Sequence, residues 1–320
     1  DDSWETISKA NSDTLFVQGP PAIGVNGQAF LLTRLLNSKV YLLHWTNQQM
    51  QILSLPPGFN GLAAGNIVSD KSGGVWFAMT KDFNSNGYYL LHWNQATWEV
   101  FSPFQFDANI EAGFNIPWIA AAPDGSVFIQ TYTNFTQSSI KNKVFRIKDS
   151  QIQFYQMPAL SLFENFGACN GLAIDKDSRP WVAGTDHRIY RYNSFDDWTV
   201  FNLDNLGIPS TGSDTRFLLD AQDRIWVLGT NDLYQSDSQQ PATLTNLIHG
   251  DIADFNCWGL TAASDGKVWF GGANGPSYFD GHQWTLVPAP WGSEYHDVAH
   301  PKTDLNGNLW YLRLGGSFLT

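Results

Sequence analysis

The chain has 320 residues, of which 43% are hydrophobic, 15% aromatic and only 15% charged. This composition excludes disorder and allows a sizeable core, and no apolar run is long enough to form a transmembrane helix. Acidic residues outnumber basic ones, 30 to 18, for a formal net charge of −12. We therefore expect no nucleic-acid partner and no membrane insertion.

The first residues, Asp1–Glu5, include no Met and no apolar leader, so we interpret the chain as a processed or trimmed product. The chain is rich in Asn, Gln, Ser, Thr and aromatic residues and poor in Lys and Glu. This composition resembles that of secreted or periplasmic bacterial β-proteins. We expect an extracellular or periplasmic location.

One short pattern recurs seven times along the chain. A turn rich in Asp, Asn, Ser and Gly is followed by an apolar residue and then by an aromatic residue. The aromatic residues are, in order, Phe30, Trp76, Phe128, Trp181, Trp226, Trp269 and Trp310. Their spacing of about 40 to 55 residues is typical of a four-stranded propeller blade. We expect each ring to fill the space between neighbouring blades.

Each repeat predicts four strands in the same order. A small-apolar strand precedes the turn and the aromatic strand follows it. The third strand occurs as two identical copies, Tyr41–Trp45 and Tyr89–Trp93. The fourth alternates apolar and polar residues, as in Thr97–Phe101, which indicates a half-buried strand.

The two ends of the chain predict how the ring closes. The last repeat supplies a third strand, Gly316–Thr320, but no fourth, and Ser3–Ile7 matches Thr97–Phe101 in residue type. We expect Trp4 to lie beside Phe318. The sequence thus predicts an all-β fold with one domain over residues 1–320: a seven-bladed β-propeller with four-stranded blades, the last closed by the N-terminal strand.

The best single copy of the pattern, Ala263–Gly272, resembles the two-component regulator propeller repeat and its relative, the virginiamycin B lyase-like propeller. The resemblance covers essentially the whole chain. It implies a seven-bladed propeller and, for the regulator class, a recognition module without catalytic activity.

Ligands of propellers collect on the face where each blade's first strand begins and where its second strand connects to its third. A collar of aromatic and polar residues there can stack on a polar ligand and hydrogen-bond to it. The predicted ligand-binding residues are Asn66, Trp118, Tyr132, Asn170, Arg216, Trp258 and His300. They differ from blade to blade, which favours a single asymmetric site over a lectin with equivalent pockets.

Glu294 and His296 are two residues apart and therefore lie on one face of a predicted strand. Such a pair can hold a divalent metal or act as an acid and a base. The lyase resemblance implies that Glu294 helps to bind Mg²⁺ and that His296 is the catalytic base. Leu314 and Trp258 stand where that family has a second carboxylate and a nearby His.

We therefore expect a non-enzymatic module that binds a small molecule, glycan or protein, without a cofactor. The alternatives are a metal-assisted, lyase-like enzyme centred on Glu294 and His296, with a divalent cation, and a lectin.

Overall fold

The structure is a computed structural model. It describes residues 15–17, 19–35, 40–82, 85, 87–106, 114–133, 143–157, 171–184, 187–195, 197–208, 216–228, 233–236, 245–246, 259–271, 275–287, 297–304 and 308–314. Within these ranges the chain is almost entirely β-structure, with one short α-helix, α1 (Pro103–Phe106), and 3-10 turns at Val25–Gly27 and Asp204–Leu206. No helix of this part of the chain is long and apolar enough to cross a membrane.

The strands group into sheets in chain order. Sheet 1 contains β1 (Leu15–Val17), β2 (Ala22–Ile23), β3 (Ala29–Leu35), β4 (Val40–Thr46) and β5 (Gln49–Leu53). Sheet 2 contains β6 (Ala63–Ser69), β7 (Val75–Met79), β8 (Tyr89–Trp93) and β9 (Trp98–Phe101). Sheet 3 contains β10 (Phe114–Ala121), β11 (Val127–Thr133), β12 (Lys143–Lys148) and β13 (Gln151–Gln156).

Sheet 4 contains β14 (Leu172–Ile174), β15 (Pro180–Ala183), β16 (Arg188–Ser194) and β17 (Asp197–Asn202). Sheet 5 contains β18 (Arg216–Leu219), β19 (Ile225–Leu228), β20 (Leu233–Ser236) and β21 (Thr245–Asn246). Sheet 6 contains β22 (Leu260–Ala262), β23 (Val268–Phe270), β24 (Ser277–Phe279) and β25 (Trp284–Leu286). Sheet 7 contains β26 (Asp297–Thr303) and β27 (Leu309–Leu314).

The fold is a β-propeller built from four-stranded antiparallel blades. The predicted number of blades needs correction: the described residues form six complete blades rather than seven. Sheet 7 has only two strands, because residues 1–14 and 315–320, which were expected to complete it, lie outside the described residues. The expected pairing of Trp4 with Phe318 lies outside them as well.

The innermost strands of successive sheets contact one another, from β6 through β10, β14, β18 and β22 to β26, and β26 contacts β2. In sheet 1, β1 and β2 both pair with β3 and form one interrupted inner strand. The face where the inner strands begin is called the upper face. The opposite face, with the turns between first and second strands, is the lower face.

The seven repeated aromatic residues all lie on second strands, as predicted. Five of them, Phe30, Trp76, Phe128, Trp181 and Trp226, are buried and pack against the next sheet; Trp181 and Trp226, for example, are each 1% exposed. Trp76 packs with Phe114 and Ile119 of sheet 3, and Phe128 packs with residues of sheet 4. Burial of each such aromatic side chain stabilises the propeller by about 2–3 kcal/mol.

An aspartate six residues before the aromatic residue, buried in three sheets and 10% exposed in sheet 2, supports the lower face of four sheets. Its carboxylate accepts a hydrogen bond from the indole Nε1 of the Trp. The pairs are Asp70–Trp76, Asp175–Trp181, Asp220–Trp226 and Asp304–Trp310, with N–O distances of 2.9–3.4 Å. Where the aromatic residue is Phe, which has no N–H, the position holds Gly24 or Ala122 instead.

The two identical pentapeptides both form third strands, as predicted, yet their histidines differ in surroundings. His92 stacks on Trp76 and lies between two carboxylates, 2.8 Å from Asp70 and 3.2 Å from Glu99. His44 stacks on Phe30, lies edge-on to Trp93, and its Nε2 lies 3.2 Å from the amide oxygen of Gln28. Burial lowers the pKa of His44.

Burial alone would raise the pKa of the Asp70 carboxyl. Hydrogen bonds from His92, Ser72 and the Gly74 N–H outweigh burial and hold this pKa well below its usual range. The carboxylate therefore stabilises the turn of sheet 2 in its charged form.

Polar groups of the lower face also join neighbouring sheets. Lys71 donates to the Pro123 carbonyl of sheet 3, and the Asp124 N–H donates to the hydroxyl of Ser178 in sheet 4, at 3.2 Å. Lys176 pairs with Asp223 of sheet 5 at 2.8 Å. The lower hairpins thus bind one another.

Candidate functional site

The structure describes the predicted ligand-binding residues to different extents. The side chains of Asn66 and Trp118 are described, on β6 and β10. Tyr132, Arg216 and His300 are placed in strands β11, β18 and β26. Asn170, Trp258, Glu294 and His296 lie outside the described residues.

Irregular inner strands distinguish one arc of the ring. In sheet 3, Asn115 pairs with Tyr132 and Trp118 with Gln130, so the inner strand contains one extra residue between these pairs. Similar irregularities occur in β6 and β26. Bulges of this kind redirect side chains and often lie next to binding sites.

Asn66, at the irregular part of β6, connects sheet 2 to sheet 3. Its amide nitrogen donates to the Ile119 carbonyl at 2.5 Å, and its amide oxygen accepts from the Ile119 N–H at 2.8 Å. This paired contact holds the backbone directly after Trp118. The structure therefore gives Asn66 a positioning role for the predicted aromatic residue.

Trp118 is half-buried and reaches from sheet 3 to the beginning of sheet 4. A Cβ atom on Gly171 would lie 2.7 Å from Trp118 Nε1 and 3.0 Å from its Cε2. Gly171 is itself held by its carbonyl, which accepts from the Ala183 N–H at 2.9 Å. The close approach of the indole therefore requires glycine at position 171.

Gln130 is a residue of this region that the sequence analysis missed. It is 2% exposed, and its Oε1 has no hydrogen-bond partner among the described residues. Its cross-strand neighbours are Trp118 and Val144, so the three side chains share the face of sheet 3 that looks toward sheet 4. An unpaired buried acceptor costs about 1–3 kcal/mol.

The repeat itself contains the signal that identifies Gln130. It stands two residues after Phe128, and six other residues occupy the same position in the other repeats. These are Leu32, Ala78, Ala183, Leu228, Gly271 and Leu312. All six are apolar or glycine, so an amide at this position departs from the pattern that packs the blades.

Apolar side chains of sheets 3 and 4 pack together on the face of sheet 3 that carries Gln130. Leu172 and Val182 of sheet 4 and Val144 of sheet 3 belong to one buried cluster, against which Trp118 packs. On the same face, Arg146 lies over Phe128 toward the lower end, where it pairs with Asp124. We call the region of Trp118, Gln130 and Gly171 the 3–4 crevice.

The described residues contain no group of three or more His, Cys, Asp or Glu side chains that could hold a metal ion. The predicted pair Glu294 and His296 is outside this part of the chain. Near the bulge of β26, burial lowers the pKa of Lys302.

No family model and no curated protein matches the chain. Among solved structures, it is similar to a catalytically inactive virginiamycin B lyase from Staphylococcus aureus with quinupristin, at 16% identity and a TM-score of 0.60. That match covers 94% of this chain and 96% of the other. It is also similar to YCF48 bound to D1 peptide, at 13% identity, a TM-score of 0.64, and coverage of 97% and 96%.

A third similar structure is the extracellular domain of BT3049, a putative hybrid two-component system of B. thetaiotaomicron. It is 13% identical with a TM-score of 0.63, and the match covers 92% of this chain and 37% of that one. At these identities the similarities show the β-propeller fold. They do not extend to activity or ligand.

Proposed function

We propose that this protein is a non-enzymatic recognition module that binds its ligand on the upper face, at the 3–4 crevice. The observation that carries the proposal is the buried, unpaired Oε1 of Gln130 beside the half-buried indole of Trp118. An acceptor beside an aromatic surface is a combination with which ligand sites fix the orientation of what they bind.

The contrast between the two faces supports this choice. On the lower face, described polar groups of neighbouring sheets bind one another, as Lys176 does with Asp223. In the 3–4 crevice, Gln130 breaks the apolar pattern and gains no described partner for its oxygen. The predicted residues Tyr132 and Asn170 adjoin this crevice in the chain, two residues after Gln130 and one before Gly171.

The proposal includes a ring of seven blades in one domain over residues 1–320, closed by the N-terminal strand. The position of sheet 7 between sheets 6 and 1 favours it, because β26 contacts both β22 and β2. An extracellular or periplasmic location belongs to the same proposal. Its support is the similarity to an extracellular domain and to PorZ, a bacterial surface component at 14% identity and a TM-score of 0.56.

The lyase-like alternative depends on Glu294 and His296, and it stays a sequence-based prediction. One of the similar folds is a lyase and another is a peptide-bound protein. The fold therefore accommodates both kinds of function, and the described side chains favour binding.

A thermal-stability screen tests the proposal. Small molecules, glycans and peptides are added to the full chain, because a ligand of the native state raises the melting temperature in proportion to RT ln(1 + [L]/Kd). Trp118→Ala should abolish the shift that a hit produces. The matched control is Trp269→Ala, which removes a half-buried indole on the lower face and should retain the shift relative to its own baseline.

A shift that persists in Trp118→Ala, or that disappears equally in Trp269→Ala, would contradict an upper-face site at the crevice. A screen in which no compound raises the melting temperature would also count against it.

A further inference from the structure

We infer that Lys302 is a reactive amine, a covalent site that forms an imine with small aldehydes. It lies between sheets 7 and 1, apart from the 3–4 crevice, and does not depend on the proposed function. Three features meet here: a lysine at an otherwise uncharged position of the repeat, an amine without a described partner, and partial access to solvent.

Lys302 differs from its counterparts at a position that the fold defines closely. It pairs across β26 and β27 with Trp310, the aromatic residue of the seventh repeat. In the other six sheets, the inner-strand residue paired with the repeated aromatic residue is uncharged. These residues are Ala22, Val68, Ala120, Ala173, Leu218 and Thr261. Packing of the blades therefore does not require a lysine at this position.

The side chain of Lys302 faces sheet 1. Successive residues of a strand alternate between the two faces of its sheet. The Thr303 hydroxyl donates to the Ala262 carbonyl of sheet 6 at 3.0 Å, so Lys302 and Asp304 share the opposite face. A Cβ atom on Gly27 of sheet 1 would lie 3.9 Å from Asp304 Oδ2, as expected for a face turned toward sheet 1.

The carboxylate on this face is committed to other donors. Asp304 accepts from the backbone N–H and from Nδ2 of Asn308, each at 2.8 Å, and from Trp310 Nε1 at 3.4 Å. No described ion pair or hydrogen bond joins it to Lys302. The amine therefore lacks the counter-charge that a buried lysine usually has.

The described side chains of the neighbouring elements provide no other counter-charge. The strand of sheet 1 that contacts β26 is β2, which contains only Ala22 and Ile23. In sheet 6, β22 and β23 contain no charged residue. On β27, Tyr311 alternates with Trp310 and so lies on the face toward sheet 6.

The amine is desolvated but still open to solvent. Burial lowers the pKa of Lys302, and no neighbouring charge opposes this effect. The side chain is half-buried, and its Nζ is not among the described side-chain atoms that are both buried and unpartnered. Since Nζ has no described partner, it keeps contact with solvent, and a small molecule can reach it.

A lysine whose charged form is disfavoured by burial is a nucleophile at a pH where exposed lysines stay protonated. The lone pair of Nζ attacks the carbonyl carbon of an aldehyde, and the addition product then loses water. A C=N bond replaces the C=O bond, and both hydrogens of the amine leave in the water molecule. The step needs no oxidant or reductant.

The test is reductive labelling of the full chain with propionaldehyde and cyanoborohydride between about pH 6 and 9, with peptide mass spectrometry to quantify each lysine. Cyanoborohydride delivers hydride to the imine carbon and fixes the product as a secondary amine. The internal control is Lys267, whose side chain is 36% exposed and whose pKa is raised by Asp265, 2.8 Å away.

We expect Lys302 to be labelled at least about threefold faster than Lys267 at pH 7, because one pKa unit changes the fraction of neutral amine about tenfold. The ratio should fall as the pH rises past the pKa of Lys302. Slower labelling of Lys302 throughout the range, or parallel pH profiles for the two amines, would overturn the inference. Lys302 would then only cover Trp310 with its aliphatic stem.

Lys302→Met gives a second measurement, since it keeps the length of the stem and removes the amine. An amine without a structural partner is costly to bury, so the variant should keep or raise the melting temperature. A lower melting temperature would show that a partner holds the amine in place, and this would also refute a free nucleophile. Neither result affects the thermal screen at the 3–4 crevice.

Discussion

Replacement of Asp220 by Asn should lower the free energy of unfolding by about 3–5 kcal/mol. The Asp220 side chain is 1% exposed. Its Oδ2 accepts from Trp226 Nε1 at 2.9 Å and from Arg224 Nε at 2.6 Å. Its Oδ1 accepts from the N–H groups of Gln222 and Arg224 at 3.0 and 2.9 Å. Asparagine has one acceptor oxygen, so its NH₂ must face donors that are already committed.

The assay is equilibrium unfolding in urea, followed by tryptophan fluorescence and by far-ultraviolet circular dichroism, with coincident transitions as the criterion for two-state analysis. The control is Asp265→Asn on the equivalent turn of sheet 6. The Asp265 side chain is 49% exposed and pairs with Lys267 at 2.8 Å. A surface pair of this kind contributes about 1 kcal/mol or less, so the control should cost far less than Asp220→Asn.

A double-mutant cycle with Trp226→Phe isolates the indole contact. Phenylalanine removes the Nε1 donor, so the cost of Asp220→Asn should fall in the Trp226→Phe background. Equal costs for Asp220→Asn and Asp265→Asn, or strict additivity with Trp226→Phe, would refute the role of the buried carboxylate.

Three further substitutions test other parts of the structure. Gly171→Ala should destabilise the protein by about 1–3 kcal/mol, because the new methyl group overlaps the Trp118 indole, and urea unfolding measures this cost. Ala263→Asp should raise stability by about 1 kcal/mol by giving Trp269 Nε1 the acceptor that other repeats supply; a loss of stability would contradict this. Asp70→Asn should lower the free energy of unfolding at pH 7, and this loss should shrink as the pH falls below about 4. The reason is that a carboxyl whose pKa is lowered in the native state stabilises that state only above the pKa of the unfolded chain. A loss that stays constant in unfolding measurements from pH 7 to 3 would exclude this.

The repeated strands could be predicted from the sequence because their signals are local. Turn residues, alternation and one aromatic residue per repeat all act within a few residues. For this reason every predicted aromatic residue lies on a second strand, from Phe30 to Trp310. The count of complete blades depends on pairing between the two ends of the chain, which no local pattern determines.

The candidate site was less predictable because the contacts of its residues cross between sheets. Asn66 was predicted as a ligand-binding residue, and nothing in the sequence indicated that its amide also bonds to Ile119, 53 residues away. The irregularity between Asn115 and Trp118 contains Pro117, and proline within a strand indicates a bulge or an edge, a signal that the sequence analysis did not use. The buried acid six residues before a Trp, as in Asp175 and Trp181, was visible only by comparing the repeats at that spacing.

A residue that differs from its counterparts in the other repeats is informative when the residue that it contacts has not changed to match it. Phe128 replaces Trp, and Ala122 replaces the acid that such a Trp requires, so this pair is balanced. Trp269 follows Ala263 and lacks the acid, but its indole is half-buried and water can serve as acceptor. Gln130 differs from the other repeats, is buried, and has no described hydrogen-bond donor for its Oε1. A water or a ligand can donate to this oxygen, and this amide therefore marks the proposed site more closely than the aromatic collar does.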